Sequence, residues 1–283
     1  MPVSTITIEP LGRKVGAEVR GVDPERLIND DELPGALLKA VEEAGVLVFR
    51  NLYLDPETQV AFCRKFGPIE MDEGRNETKG IYRVSLDRAT SAIADYLYGN
   101  FGWHIDGLTP TVTEHPPPML TMLTAQVVAE VGGDTEFASS YAAYDDLAER
   151  EKEALAGRRV FHTMEAGILR FIPNPTEEHM ARLRSQPTKV HPLIWTHKTG
   201  KRSLVIGGTS DFIIGMRLEE GRALLSELVE RATTPDRVYC HKWQAGDTVL
   251  WDNRGLLHHI TPFDTTEPRE MLRTTVLGQE TIQ

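Results

Sequence analysis

The motif that most restricts how this chain can fold is Trp103-His104-Ile105-Asp106, because it needs a partner, His258, from near the other end of the chain. A histidine and an aspartate separated by one residue project to the same side of an extended strand. A third ligand must then come from a second strand. Two histidines and one carboxylate bind one face of an iron ion and leave positions open for oxygen and substrates. The motif therefore predicts a redox metal site between two strands.

Taken alone, each of these residues also has an ordinary structural interpretation. His-x-Asp occurs by chance in many chains, and His258 and His259 could be two partly buried structural histidines. Two basic residues downstream, Arg269 and Arg273, favour the functional interpretation. An arginine fork binds a carboxylate through paired charge-assisted hydrogen bonds, so an anionic ligand beside the metal would account for the pair.

The composition of the chain argues against several classes of protein. Its 283 residues include 42 acidic and 31 basic ones, a net charge of -11, which disfavours nucleic acid or an anionic membrane as a partner. The two cysteines lie far apart and indicate no disulfide framework. The sequence shows neither a signal peptide nor an apolar run long enough to span a bilayer. We expect a cytoplasmic protein.

The hydrophobic patterns predict short strands interspersed with helices. Helices are predicted at residues 34–44, 55–66, 139–155 and 219–232. Strands are predicted at residues 5–8, 17–19, 46–49, 81–84, 119–128, 190–196, 203–206 and 248–251. Residues 69–80 are polar without a clear period, and we interpret them as a mobile loop that could act as a lid. The predicted fold is one domain, residues 1–283, mostly β with surrounding helices and a double-stranded β-helix (jelly-roll) core.

Six short segments together resemble a known family, the Fe(II)/2-oxoglutarate-dependent dioxygenases related to taurine dioxygenase and 2,4-dichlorophenoxyacetate dioxygenase. The segments are WHID at 103–106, GGDTEF at 132–137, YAAYD at 141–145, GDTVLWDNR at 246–254, LH at 257–258 and REMLR at 269–273. The resemblance extends from about Ile6 to Gly278, and the second and third segments are closer to the phenoxyacetate branch.

The resemblance implies a role for each matching position. The iron ligands would be His104, Asp106 and His258, with His259 pointing to the opposite face of an extended backbone. Arg269 would grip the far carboxylate of 2-oxoglutarate, supported by the hydroxyl of Thr135. Trp251 would pack against the metal site.

The resemblance also suggests where the main substrate lies. Arg273 would hold its acidic group, although it could instead reinforce the cosubstrate or pair with Glu270. Residues that could line the substrate pocket are Met71, Tyr98, Asn100, Gly107 and Phe212, and Gly107 would leave room beside the metal. Taurine-type enzymes have a His-rich loop where this chain has Ile69-Glu-Met-Asp-Glu73, which disfavours a sulfonate held by two cations.

The implied activity is hydroxylation of a small carboxylate- or other anion-bearing organic substrate, with an aryloxyalkanoate favoured. Fe(II) would be the metal, 2-oxoglutarate and O2 the cosubstrates, and succinate and CO2 the coproducts; C–O or C–S cleavage could follow. A sulfonate, an alkyl sulfate and an amino-acid-derived natural product stay open as substrates, and the family suggests a homo-oligomer, dimer or tetramer. The alternatives are a metal-dependent hydrolase, which has no use for Arg269 or Thr135, and a non-catalytic jelly-roll binder, which does not need the metal triad.

Overall fold

A computed structural model of the protein describes residues 6–11, 14–71, 78–86, 97–109, 116–172 and 174–283. Seven strands form the main sheet: β1 (Thr7–Pro10), β2 (Ala17–Arg20), β3 (Val46–Phe49), β4 (Tyr82–Val84), β5 (Leu120–Val127), β13 (Thr248–Asp252) and β15 (Glu270–Val276). Their order across the sheet is β1-β2-β3-β13-β5-β15-β4. Only the pairing of β2 with β3 is parallel.

A second sheet contains β12 (Tyr239–His241), β6 (Thr135–Ser139) and β14 (Leu256–Ile260), in that order. Two smaller sheets comprise β11 (Ser210–Ile213), β7 (Arg159–His162) and β8 (Lys189–Pro192), and β10 (Arg202–Leu204) with β9 (Ile194–Thr196). The described helices are α1 (Pro24–Asn29), α2 (Leu33–Ala44), α3 (Pro56–Arg64), α4 (Ser140–Asp145), α5 (Glu149–Leu155), α6 (Met164–Ile168), α7 (Glu177–Arg184) and α8 (Leu218–Ala232). Residues Tyr98–Phe101 and Leu169–Phe171 form short 3-10 turns.

The main sheet is covered on both faces, which explains why its central strands are apolar along their whole length. Leu47 and Phe49 of β3 pack with α2 and α3, whereas Val46 and Val48 pack toward the second sheet. In β13, Val249 and Trp251 face the second sheet in the same way. Side-chain alternation thus divides one apolar run between two cores. The layer between the two sheets contains the candidate site.

Most of the predicted elements are present. Helices at 33–44, 56–64 and 218–232 match three of the predictions, and the Asp55 side chain caps α3 by accepting a hydrogen bond from the Thr58 amide at 2.8 Å. The sheet-rich architecture with helices is confirmed. Cys63 and Cys240 are free thiols. None of the described helices combines the length and the apolar character that a membrane crossing requires.

Two predictions of a single continuous element are wrong. The single helix at 139–155 is two helices, α4 and α5, because Ala148, which precedes α5, has an extended backbone. The Glu151 side chain accepts a hydrogen bond from the Ala148 amide at 2.9 Å. The single strand at 190–196 is two strands in different sheets. The break follows Pro192, which has no N–H to continue a ladder. Of the predicted loop 69–80, residues 72–77 lie outside the described residues, as does Thr5 of the first predicted strand.

Candidate active site

The two histidines of the predicted triad are paired directly through their backbones. His104 and His258 form an isolated antiparallel bridge, with N–O distances of 3.0 and 2.9 Å in the two directions. Residues paired in this way project their side chains to the same side, and the two imidazole centroids are 4.2 Å apart. This bridge joins segment 103–106 to β14 and brings the two histidine side chains together.

Asp106 completes a cluster of three groups that could bind one metal ion. Its Oδ1 lies 3.7 Å from His104 Nε2 and 3.9 Å from His258 Nε2. One ligand atom from each residue falls within 4.8 Å of the others. The donor set of two imidazoles and one carboxylate suits Fe(II) and leaves coordination positions open. The residues therefore fit the iron that the sequence predicts.

The protonation of the two histidines also suits metal binding. His104 Nδ1 lies 2.8 Å from the Gly102 carbonyl, and His258 Nδ1 lies 3.4 Å from the Leu256 carbonyl. A carbonyl only accepts, so each Nδ1 carries the proton and each Nε2 presents a lone pair toward Asp106. Burial lowers the pKa of His104, and it lowers the pKa of His258 to about 3. Both rings are therefore neutral at neutral pH.

Arg273 joins this cluster from the main sheet. It pairs with Leu123 of β5, which pairs in turn with Val249 of β13, so one row of side chains faces the second sheet. Arg273 Nη1 lies 3.9 Å from Asp106 Oδ2, and its Nε is buried without a hydrogen-bond partner among the described residues. Burial alone would raise the pKa of Asp106, but opposing interactions, among them that with the Arg273 cation, hold it below its usual range. The carboxylate is thus charged.

Arg269 is almost fully buried, and its charge is only partly paired. Its Nε donates to the Gly133 carbonyl at 3.0 Å, and its guanidinium lies 5.6 Å from the centroid of the Phe263 ring. Burial lowers its pKa to about 10, so the group is still a cation at neutral pH. Among the described residues its Nη2 has no partner. Burying a cation costs free energy unless it is paired, so this nitrogen atom is suited to bind an anion.

Two cavities that share lining residues surround the cluster. A small cavity of about 40 Å³ lies between the two sheets. It is lined by Val84, Asn100, His104, Asp106, Leu123, Thr135, Trp251, His258, Ile260, Arg269 and Arg273. A large cavity of about 460 Å³, mostly apolar, shares Asn100, His104, Asp106 and Arg273 with it. The rest of its described lining is Glu70, Leu97, Gly99, Ile105, Gly107, Leu108, Thr109, Pro116, Pro117, Pro118, Met164, Gly167, Ile168, Gln186, Gly208, Thr209, Thr275 and Leu277.

Comparison with known proteins identifies the family. Residues 7–275 match the family model described as taurine catabolism dioxygenase TauD, TfdA family. The chain belongs to the TauD/TfdA dioxygenase family. It is a 2-oxoglutarate-dependent dioxygenase, and Fe(II), 2-oxoglutarate and O2 are the cofactor and cosubstrates of this chemistry.

Two relatives and one solved structure extend the comparison. The chain is 39% identical over 254 residues to the alpha-ketoglutarate-dependent 2,4-dichlorophenoxyacetate dioxygenase of Burkholderia sp. (strain RASC), covering 84% of each chain. It is 36% identical over 280 residues to the (S)-phenoxypropionate/alpha-ketoglutarate-dioxygenase of Sphingobium herbicidovorans, covering 96% of this chain and 94% of the relative. The crystal structure of AAD-2 in complex with Mn(II) and N-oxalylglycine superposes with a TM-score of 0.79 at 30% identity, covering 99% of this chain and 100% of that one.

Within this TauD/TfdA chain, the sequence-predicted site residues fall into two groups. The triad, Thr135, Trp251, Arg269, Arg273 and Asn100 all line the small cavity. Met71, Tyr98 and Phe212 are not among the described residues that line either cavity. Met71 is largely exposed, and the Phe212 ring stacks on Phe161 at 5.1 Å. Tyr98 packs beside the hydrophobic cluster of Ile168.

Gly107 lines the large cavity for a reason other than the predicted one. Its φ is +77°, a left-handed conformation that favours glycine, and an added Cβ would lie 2.3 Å from Pro118 Cδ. A side chain at position 107 would therefore meet Pro118, and the substrate-pocket role of Gly107 stays a prediction.

Trp251 contributes packing to the site. Its ring centroid is 5.0 Å from that of His258, and its Nε1 donates to Asn253 Oδ1 at 2.8 Å. The single polar group of the indole is thus already used, and the ring forms an apolar wall beside the histidine.

One residue behind the lining of the small cavity has no counterpart among the sequence predictions. Trp243 lies just beyond β12 and donates from its Nε1 to Thr135 Oγ1 at 2.9 Å. His241 of β12 pairs with Thr135 of β6, which brings the next inward residue, Trp243, to the same side. A lone tryptophan among polar residues gives no local signal of this contact.

Proposed function

We propose that this protein hydroxylates a small aryloxyalkanoate-type acid at a single iron centre ligated by His104, Asp106 and His258. Fe(II) and 2-oxoglutarate, when bound, supply the oxidation, and the cosubstrate is converted by O2 to succinate and CO2. The protein residues bind and orient the two organic ligands. The observation that carries the proposal is a pair of arginines that line one cavity with the ligand triad. Each has a buried nitrogen atom with no hydrogen-bond partner among the described residues.

Arg269 and Thr135 are proposed to bind the far carboxylate of 2-oxoglutarate. Both line the small cavity together with the triad, so a ligand that reaches the metal can also reach the guanidinium. The Nη2 of Arg269 has no partner among the residues that the structure describes, and it supplies a charge-assisted donor in a buried setting, where such a bond is strong. The phenyl ring of Phe263 on one side of the guanidinium restricts its orientation.

Arg273 is proposed to bind the carboxylate of the main substrate. It lines both cavities and is the one arginine or lysine among the described residues that line the large cavity. Ile105, Leu108, Met164 and Ile168 give the remaining wall an apolar surface that suits an aromatic ring. An aryloxyalkanoate has this arrangement of one carboxylate and one ring. Hydroxylation of its ether-bearing carbon would give a product in which the C–O bond breaks.

Glu70 bears on the choice between substrate classes. Its amide donates to the Thr275 carbonyl at 2.8 Å, which places it on the rim of the large cavity, two residues along β15 from Arg273. A carboxylate at this position opposes a second anionic group on the substrate. A substrate with one acid group is therefore favoured over a more highly charged one, while a sulfate ester stays the second candidate.

The rest of the proposal follows from family membership and sequence. One domain spanning residues 1–283 with a jelly-roll core, a cytoplasmic location and assembly as a dimer or tetramer are proposed together with the activity. A small organic molecule is the expected partner. The chain's acidic charge argues against nucleic acid.

The deciding experiment is an anaerobic titration of the Fe(II)-loaded protein with 2-oxoglutarate, followed by a screen for succinate release. A visible metal-to-ligand charge-transfer band is expected as the cosubstrate binds. Aryloxyacetates and aryloxypropionates should then stimulate succinate release more than sulfate esters of similar size. Absence of the band from iron-loaded protein would favour the hydrolase or binding-protein alternatives. Preferential turnover of sulfate esters would keep the chemistry and replace the substrate.

A further inference from the structure

Thr135 and Trp243 form a hydrogen bond whose direction is fixed by chemistry. The indole N–H of Trp243 can only donate, so Thr135 Oγ1, 2.9 Å away, must be the acceptor. The hydroxyl proton of Thr135 is then left to donate elsewhere. Among the described residues no acceptor lies within hydrogen-bond distance of it, although Thr135 is almost fully buried. The proton is thus directed away from the indole. Thr135 itself lines the small cavity.

The indole is itself held on several sides. The Trp243 amide lies 3.4 Å from Asp134 Oδ1, and the His241 ring meets the indole edge-on at 4.4 Å. The turn that follows is fixed by Asp247, which accepts from the Gln244 amide at 3.0 Å and from Arg50 at 2.5 Å. A side chain held in this way keeps its hydrogen bond in one direction, and the β-branched Thr135 has few rotamers of its own.

We propose that Trp243 is a positioning residue that turns the Thr135 hydroxyl toward the far carboxylate of 2-oxoglutarate. The carboxylate then meets an oriented O–H donor from Thr135 together with the Nη2 donor of Arg269. Trp243 acts through Thr135 and does not touch the ligand. This inference rests on the proposed cosubstrate site, and it adds that selection for a keto acid with a second carboxylate depends on a tryptophan behind the site.

The test is a double-mutant cycle on the Fe(II)-loaded protein under anaerobic conditions, with the 2-oxoglutarate Kd as readout. Trp243→Phe and Thr135→Val should each weaken binding by about 3- to 10-fold, the effect of one hydrogen bond. The double variant should bind no more weakly than Thr135→Val alone, because Trp243 has no effect without the hydroxyl. Effects that multiply would overturn the proposal.

A second ligand separates positioning from a general structural role. 2-Oxobutyrate keeps the keto-acid end and lacks the far carboxylate, so its affinity should be the same in Trp243→Phe and in the unaltered protein. Equal weakening of both ligands would mean that the substitution only loosens the site. Trp195→Phe is the matched control, since Trp195 is also buried but belongs to another hydrophobic cluster. It should leave both affinities unchanged.

The two proposals can fail separately. If the unaltered protein does not bind 2-oxoglutarate more tightly than 2-oxobutyrate, the proposed cosubstrate site is wrong. The alternative is that the unaltered protein shows this preference for 2-oxoglutarate over 2-oxobutyrate. If Arg269→Ala then removes the preference and Trp243→Phe does not reduce it, only the positioning role of Trp243 is wrong. Should Trp243→Phe fail to fold, the indole N–H resonance of Trp243 replaces it as readout: it should shift in Thr135→Val, and an unchanged resonance would contradict the proposal.

Discussion

The two cavities beside the metal ligands are built from different parts of the fold. The small cavity is walled mainly by strand residues, including Thr135 of β6, Trp251 of β13 and Arg273 of β15. The large cavity is walled mainly by segments between strands, such as 97–109 and 116–118, together with α6. Its volume is about 460 Å³, compared with about 40 Å³ for the small one.

This difference indicates which cavity can bind different ligands in different family members and which cannot. Groups on paired strands are fixed by the register of the sheet, and moving one would disturb its neighbours. Segments between strands can change sequence and length without altering the sheets. A cosubstrate common to a whole family suits the strand-built cavity, and a variable main substrate suits the other.

Loss of a metal ligand should remove the function of both cavities. His258→Ala should lower iron content and succinate formation by at least about 100-fold, since even groups that only orient a metal ligand contribute roughly 10- to 100-fold. His259→Ala is a control at the adjacent position, because the His259 ring faces Glu136, with Nε2 2.8 Å from its Oε2. It should retain iron by metal analysis. Equal iron loss in both variants would contradict the assignment of His258.

Removing the buried arginine should affect only the strand-built cavity. Arg269→Ala should weaken 2-oxoglutarate binding by on the order of 2–4 kcal/mol, because charge-assisted bonds in a buried setting are lost. Anaerobic titration of the iron-loaded protein measures this effect. Arg269→Lys keeps the charge but not the paired donor geometry. Its affinity for 2-oxoglutarate should fall between those of the unaltered protein and of Arg269→Ala. Unchanged 2-oxoglutarate affinity in Arg269→Ala would reverse this interpretation of the small cavity.

Removing the arginine shared by both cavities should separate the two ligands. Arg273→Ala should raise the KM of an aryloxyalkanoate by about 10- to 100-fold, the effect of one charge-assisted hydrogen bond. Its 2-oxoglutarate Kd should change little, and slow decay of 2-oxoglutarate without substrate should continue. Succinate release and titration measure the two quantities. A larger effect on 2-oxoglutarate than on the substrate would assign Arg273 to the cosubstrate.

A change in the wall of the large cavity should have the smallest effect. Met164→Ala should alter the ratio of kcat/KM between bulky and compact aryloxyacetates by about tenfold in favour of the bulky acid, as expected for methylene-sized changes in a pocket. The 2-oxoglutarate Kd should stay constant. Met71→Ala is the control, since Met71 is exposed and outside the described lining. A preference that changes in the control but not in Met164→Ala would place the substrate elsewhere.

Local sequence pattern determined the elements with strong signals and the residues that carry chemistry. The helix at 33–44 follows from apolar spacing, and α3 from the Asp55-Pro56 start. The fully buried strands β3 and β13 follow from continuous apolar runs. The six residues named from the motifs, His104, Asp106, Thr135, His258, Arg269 and Arg273, lie around one cavity. Their ligand roles stay predictions.

Only the tertiary structure decided which side chains meet across long separations. The bond from Trp243 to Thr135, the packing of Pro118 against Gly107 and the wall formed by Met164 and Ile168 have no local signature. The break at Ala148 was also missed, because helix propensity does not report where tertiary packing turns a chain. Spacing along one element fixes the face that a side chain occupies, whereas the register between strands fixes what that face contacts.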